Sequence, residues 1–536
     1  MKRAVSLFLA AALAGALLAG CSRNGASSST EEKGEAPADL TEIVLSDSGI
    51  TVDGQPVSTD ETAAVYTARD IVYYEDGQDF TYGAGTESDA HSQEEANAHT
   101  VVYITKPGTY SLSGTLSAGQ VAVDLGEDAE TDPDAVVTLI LNGVDITCTV
   151  APAIIFYRVY ECGSDDAETA SETVDATAAG ANVIIADGTE NSVTGSYVAK
   201  IYKPETVTLN DDGTAVEEAK KLHKYDGALY SKMSMNVDGG ALGTGVLNIT
   251  AENEGLDSEL HLTINGGNIN ILAGNDGINT NEDGVSVTTI NGGTLNVQVT
   301  GETGEGDGID SNGWIVINGG TVISSACSNS ADSGLDSDNG IYINGGTVVA
   351  GGNMYDAVDG GDQTYAVFQF AQRQSGGQTY TLKNGAGETV LEMTPANDFQ
   401  YLVVSSPDLA EGDYTLWQGD TQLGGSTGSV GGPGGGMGRP DGAQPPQDGE
   451  TPPELPDGET PAQGNAPDGQ NDRPDNTPGE KPEGQPGENG GSDGQRPAGG
   501  PNGGMGGDDG ANVAERSAVF AIQSGSNQFV NVGAVE

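Results

Sequence analysis

The chain has 536 residues, with 80 Asp plus Glu against 20 Lys plus Arg, for a formal charge of −60 at pH 7. That excess of carboxylate excludes nucleic acid as a partner and excludes docking on an anionic membrane through a basic patch, because both need clustered Lys and Arg. Aromatics make up 5% of residues and glycines number 82, a composition that argues against a mainly helical architecture.

Residues 1–20 read as a targeting segment: Lys2 and Arg3 precede the apolar run Ala4 to Ala19, which is too short to stay as a membrane span. The run closes on Leu18-Ala19-Gly20-Cys21, which resembles the lipobox of bacterial lipoproteins. The resemblance implies cleavage before Cys21, lipidation of its thiol, and a chain anchored on the extracytoplasmic face of the cell membrane; several acyl chains on one residue give stable attachment. Residues 21–41 are small and polar and are expected to act as a flexible tether.

From 42 to 225, runs such as Val136-Val-Thr-Leu-Ile-Leu-Asn-Gly143 and Ala181-Asn-Val-Ile-Ile185 predict strands and turns. Thr214-Ala-Val-Glu217, leading into Glu218-Ala-Lys-Lys-Leu222, predicts a short inserted helix with a capping box. Between 226 and 362 the chain repeats itself. Ile264-Asn-Gly-Gly-Asn268 recurs at Ile290, Ile317 and Ile343, at spacings of 26, 27 and 26 residues. A period in this range indicates stacked repeats; a propeller blade is longer, and no helical pattern lies between the strands. The expected fold is all-β, a right-handed parallel β-helix over 42–423. Asn-Gly steps also fit hairpin turns, but hairpins set no constant period. In the stack, Ile264, Ile290, Ile317 and Ile343 form an interior column, with Asn265, Asn291, Asn318 and Asn344 hydrogen-bonding beside it.

A second repeated element, Gly255-Leu-Asp257-Ser, returns as Gly277-Ile-Asn279-Thr, Gly308-Ile-Asp310-Ser, Gly334-Leu-Asp336-Ser and Ala357-Val-Asp359-Gly. Acids precede it at Glu254, Asp276, Asp307 and Asp356, and Asp332 lies one place earlier in its own coil. Carboxylates about 5 Å apart repel by about 3 kcal/mol at an effective dielectric of about 20. No Lys or Arg falls between Met233 and Gln372 to offset this. Hard oxygen ligands in Gly-rich loops suit Ca²⁺. The candidate metal ligands are Asp257, Asp276, Asn279, Asp307, Asp310, Asp332, Asp336, Asp356 and Asp359; a solvated acidic edge is the plainer alternative.

Residues 424–513 hold too few large apolar side chains to offset ordering entropy and are expected to be a disordered linker; 514–536 predicts a closing hairpin around Ser524-Gly-Ser526. Cys148 and Cys162 are a candidate pair that the sequence does not decide.

Between Glu42 and Leu423 the ordered set of Leu141-Asn-Gly-Val-Asp-Ile-Thr147, Ala186-Asp-Gly-Thr-Glu-Asn191, Leu229-Tyr-Ser-Lys232, the two repeats, and Tyr401-Leu-Val-Val-Ser-Ser-Pro-Asp-Leu409 resembles the calcium-binding parallel β-helix family of exported bacterial carbohydrate-binding proteins. The resemblance implies bound calcium and a cellulose- or pectin-type polysaccharide as partner, without catalysis. Asp276, Asp307 and Asp310 fit its acidic loops best; Asn279 departs from them. Sugar platforms usually need exposed rings, and Trp314, Tyr342 and Tyr355 lie near the repeat loops. A lyase on the same architecture needs a base, and Lys232 at the edge of the repeats is the available one. A hydrolase could draw paired Asp residues from the columns. A surface adhesin or structural lipoprotein is the third reading. The chain is expected to be monomeric.

Overall fold

In the computed structural model, the described residues are 40–84, 91–163, 166–430 and 516–535. Residues 1–20, Cys21, most of the tether and all of 431–513 lie outside them. The described residues are nearly all β, in large sheets of mixed direction: one of 26 strands, one of seven, and two of two strands.

Within the repeats, pairing is parallel and in register. One ladder joins Met235–Asp238, Leu262–Ile264, Val287–Ile290, Trp314–Ile317 and Gly340–Ile343, setting Ile264, Ile290, Ile317 and Ile343 side by side. All four are at most 1% exposed. Burial of each such side chain stabilises by up to about 3 kcal/mol. The column continues backward through Val237, Val183, Leu139 and Tyr110, so the less regular half is built on the same ladder. On the outside, each of Asn291, Asn318 and Asn344 donates its amide N–H to the side-chain oxygen of the Asn one coil earlier, at 3.0, 2.9 and 2.8 Å.

A second ladder runs through Val246–Ala251, Asn268–Ala273, Thr294–Val299, Thr321–Ser325 and Thr347–Gly352. A third joins Ile154–Arg158, Gly227–Ser231, Glu254–Ser258 and Ile278–Thr280, with Asp310–Ser311 and Asp336–Ser337 following. Close packing between the second and third ladders explains the glycine that opens each Gly-Ile/Leu-Asp element. A Cβ on Gly255, Gly277 or Gly308 would fall 2.3 Å from Ile271, 2.1 Å from Val297 or 1.9 Å from Ser324.

In the second ladder parallel stacking ends at Thr347–Gly352, which pairs antiparallel with Phe399–Ser405. From Tyr365 onward the strands are mostly antiparallel around a second core of Phe368, Phe370, Tyr380, Phe399, Phe520 and Phe529. Strand Thr421–Thr427 crosses the boundary expected after 423.

Two local expectations are corrected. Residues 214–222 are not helical: Thr208–Leu209 and Val216–Glu218 pair as antiparallel strands. The Asn210 side chain accepts from the N–H groups of Thr214 and Ala215, and Gly213 takes a φ of 65°, so the turn holds the backbone that the helix would have used. The helix with a full capping box is instead Gln93–Ala98, closed by Ser92 and Glu95. The closing segment gives two strands, Phe520–Ile522 and Ser526–Ala534, but they join different neighbours rather than each other. Phe520 and Phe529 draw them into the second core, with ring centroids 4.9 Å apart. Cys148, Cys162 and Cys327 are all free thiols.

Replacing Gly277 by Ala is expected to lower unfolding free energy by about 1–3 kcal/mol through overpacking; a thermal or denaturant melt matching the wild type would contradict the close approach described.

Candidate functional site

The outward positions of the third ladder gather the repeated acids. Tyr230 pairs with Asp257, Asp257 with Asn279, and Asp310 with Asp336; the bridge between Ile278 and Ile309 sets Asn279 next to Asp310. Interior neighbours alternate with them: Leu256, Ile278, Ile309 and Leu335 face the core, as do Ser258, Thr280 and Ser311. Local alternation therefore places the carboxylates on the outward face of the third ladder in a single file.

The preceding acids flank the file. Asp276 accepts from the N–H of Asp307 at 2.7 Å, Asp307 accepts from the N–H of Ser333, and Asp332 accepts from the N–H of Gly306 at 2.8 Å and from the Ser330 hydroxyl. Asp356 sits above the last rung, accepting from the N–H of Ser337 at 3.1 Å. Asp359 leaves the file: its strand pairs with Gly340–Ile343 of the first ladder, where its carboxylate accepts from the N–H of Ile341 at 3.2 Å.

Although outward-facing, Glu254, Asp257 and Asn279 are withdrawn from water, whereas Asp276, Asp307, Asp310 and Asp336 are half-buried. Asp257 is 0% exposed, and Glu254 and Asn279 are 8% exposed. Burial first, then Asp226 and Asp276, pushes Glu254 up to about 8. Burial, with Glu254 and Glu259, holds Asp257 well above the ordinary carboxylate range. Burial leads again for Asp276 and Asp336, each raised to about 7, and for Asp307 and Asp310, both held well above their usual values by burial and by Asp276 and Asp336.

Three buried acceptors on adjacent rungs, Glu254 Oε2, Asp257 Oδ2 and Asn279 Oδ1, have no donor facing them, and the Glu254 and Asp257 carboxyls lie close enough for one shared proton to join them. Leaving such atoms bare costs about 1–3 kcal/mol each, more for a charged group. The Asn279 amide donates to Glu254 Oε1 at 3.2 Å and Asn281 donates to Asp257 Oδ1 at 2.7 Å, so the remaining oxygens are the ones left over for a cation. Oxygen-only donors of this kind fit a hard divalent ion. Asn279, the departure from the acidic pattern, fits as well as an Asp would, because its carbonyl oxygen is the unpartnered atom. Among the described residues, no three His, Cys, Asp or Glu side chains converge as a closed cage; the oxygens form a row.

The aromatic candidates separate. Trp314 and Tyr342 lie diagonally on the outward face of the first ladder, both half-buried. Tyr355 instead packs against the main core, and its oxygen accepts from the N–H of Val358 at 3.3 Å. Lys232 follows the strand Gly227–Ser231; its charge partly opposes the burial that raises Glu259, and that carboxylate accepts from the Tyr230 hydroxyl. Sequence reasoning missed a second amide ladder, in which Asn296 donates to Asn270 and Asn270 to Asn248, each at 2.9 Å. Its signal was present as Leu247-Asn-Ile249, Ile269-Asn-Ile271 and Leu295-Asn-Val297.

A family model described as carbohydrate-binding domain-containing protein matches residues 98–365. A carbohydrate-binding domain-containing protein of Acetivibrio thermocellus is 28% identical over 173 residues, covering 32% of this chain and 45% of the relative, so the chain spans less than half of that relative's length. A solved polysaccharide lyase-like protein from C. thermocellum, a gadolinium derivative, is 19% identical; the alignment covers 57% of this chain and 96% of that one, with a TM-score of 0.33.

Raised carboxyl pKa values mean that the folded, metal-free chain binds more protons than the unfolded chain from about pH 4 upward. Its stability is therefore expected to fall as pH rises from about 4 through 7, for Asp276 and Asp336, to about 8, for Glu254. His223, held below its usual value by burial, contributes the opposite slope from one group. Thermal midpoints in chelator should be higher at pH 5 than at pH 8; a rising profile would contradict the buried file.

Proposed function

The chain belongs to the carbohydrate-binding domain-containing protein family, and from that premise we propose that it is a cell-surface lipoprotein, anchored through Cys21, that binds polysaccharide without transforming it. In this reading the repeats wind as a right-handed parallel β-helix, and the file of Asp257, Asn279, Asp310 and Asp336, with Glu254, Asp276 and Asp307 beside it, holds Ca²⁺. The observation that carries the proposal is the set of unpartnered buried oxygens on Glu254, Asp257 and Asn279, within a chain of this family.

Bound calcium would supply positive charge between like-charged rungs and open coordination positions for sugar oxygens. The chain's own residues do the positioning. Glycines 255, 277 and 308 bring the third ladder against the second, and the parallel register fixes the rung spacing at about 4.8 Å. Asp332 and Asp356 are engaged by backbone N–H groups and serve to order the loops. Asp359 sits apart from the file and is not part of the proposed ligand set. Trp314 and Tyr342 remain as candidate rings on one face, whereas Tyr355 supports the core.

Catalysis is the weaker reading, since elimination requires a base at the sugar and the repeats from 234 to 371 contain no Lys or Arg. Lys232 is the candidate for it. Product absorbing in the ultraviolet from polygalacturonate, lost on Lys232→Ala, would favour the lyase.

Binding to the acidic glycans of an array is expected with calcium and is expected to weaken in EGTA; equal binding of acidic glycans in both would remove calcium from the proposal. Asp310→Asn gives a sharper expectation, because it removes an ionisable carboxyl and leaves one neutral carbonyl oxygen in place of two carboxylate oxygens. It should stabilise the metal-free chain and shrink the gain from calcium, which is about 2.7 kcal/mol for one site at a hundred times its dissociation constant. Destabilisation of the metal-free chain by this change would contradict the charge argument.

A further inference from the structure

The outward face of the second ladder carries the amide row Asn248, Asn270 and Asn296 along the floor of a groove of about 480 Å³. Thr394 and Ala396, from the antiparallel part of the chain, wall one side. That wall is tied down. Asn397 donates to the carbonyls of Val299 and Ala326 at 2.6 and 2.8 Å and accepts from Gln298 at 3.0 Å, while the N–H of Ala396 donates to Ser325 Oγ at 3.0 Å. The groove is thus preformed, and its volume is that of an ordinary ligand site.

Its chemistry is unlike the rest of the molecule. In a chain of net charge −60, no ionisable side chain lines it. The nearest acid in the row is Glu190, which accepts from Asn248 at the foot of the ladder. Asn270 spends one N–H and one lone pair on its neighbours in the row and keeps one donor and one acceptor for a ligand. Leu272, 40% exposed, adds an apolar patch and Thr250 a hydroxyl. The middle strands of this ladder are paired on both edges, which leaves no backbone for an added peptide strand. Recognition must go through amides, hydroxyls and apolar patches, the chemistry of a polyhydroxylated and uncharged chain.

We propose that this groove binds an uncharged segment of polysaccharide, lying along the coil axis across the asparagine row, at a site separate from the carboxylate file. The inference rests on the polysaccharide-binding reading and names its site and ligand class. The file repels acidic sugars unless metal is present; the groove offers a neutral glycan contact without that requirement.

The test is native affinity electrophoresis of the full chain in gels holding a soluble uncharged β-glucan, an uncharged xylan, or polygalacturonate, each with calcium and with EGTA. Leu272→Glu and Thr250→Glu place a carboxylate at exposed groove positions, and Leu209→Glu, at a site 41% exposed elsewhere, is the charge-matched control. Retardation by at least one uncharged glycan is expected in both calcium and EGTA, weakened about tenfold or more by either groove variant and unchanged by the control, with thermal midpoints all alike. Groove variants that bind as wild type overturn the proposal, as does retardation by polygalacturonate alone, which leaves the broader polysaccharide reading standing. A chain retarded by none of the three glycans would refute both.

Discussion

Parallel pairing in strict register sets every other property of this molecule. Each side chain in the repeats sits about one strand spacing, about 4.8 Å, from its counterpart in the neighbouring strand. Repetition is then either cumulative gain or cumulative cost. Isoleucine on isoleucine excludes water along the whole column, and asparagine on asparagine satisfies one amide with the next. Carboxylate on carboxylate adds repulsion at every step.

That cost is concentrated in the third ladder, where the repeated Asp stands next to a glycine that lets two sheets close together. Burial is the leading cause of the raised carboxyl pKa values from Glu254 to Asp336. Two agents can neutralise such a file: protons, which the raised values already describe, or cations. Protons would satisfy the carboxylates up to about pH 7 for Asp276 and Asp336 and about pH 8 for Glu254. Above that range, or where a cation displaces those protons, the oxygens of Glu254, Asp257 and Asn279 are donors that suit a metal, and this is the physical basis of the calcium proposal.

The isoleucine column and the exposed asparagine row were legible because a near-constant period of 26 or 27 residues fixes their register, whereas the order Asp257, Asn279, Asp310, Asp336 was legible from the recurring Gly-Ile/Leu-Asp element, at spacings of 22, 31 and 26 residues. Asp359 escaped because its strand, Val358–Gly360, joins Gly340–Ile343 of the first ladder, a shift that its spacing of 23 residues from Asp336 does not announce, since Asp257 and Asn279, 22 residues apart, stay in the file. The false helix at 214–222 and the true one at 93–98 share a capping-box pattern; what separates them is Asn210, whose side chain closes a competing turn, and no local pattern weighs that contest. Phe520 and Phe529 read as a hairpin because their destination, a core contributed by residues more than a hundred positions earlier, is invisible from nearby sequence. The groove was hidden for the same reason, since its wall at Thr394 and Ala396 is remote from the asparagine floor.

The most direct measurement is a crystal structure of the calcium-soaked chain at neutral pH with anomalous scattering collected for the ion. The account predicts anomalous peaks along the file, coordinated by Glu254, Asp257 and Asn279 and by the Asp276, Asp307, Asp310 and Asp336 group. Carboxyls hydrogen-bonded to one another across the rungs, with no anomalous density between them, would show that protons alone make the stack tolerable and would contradict it.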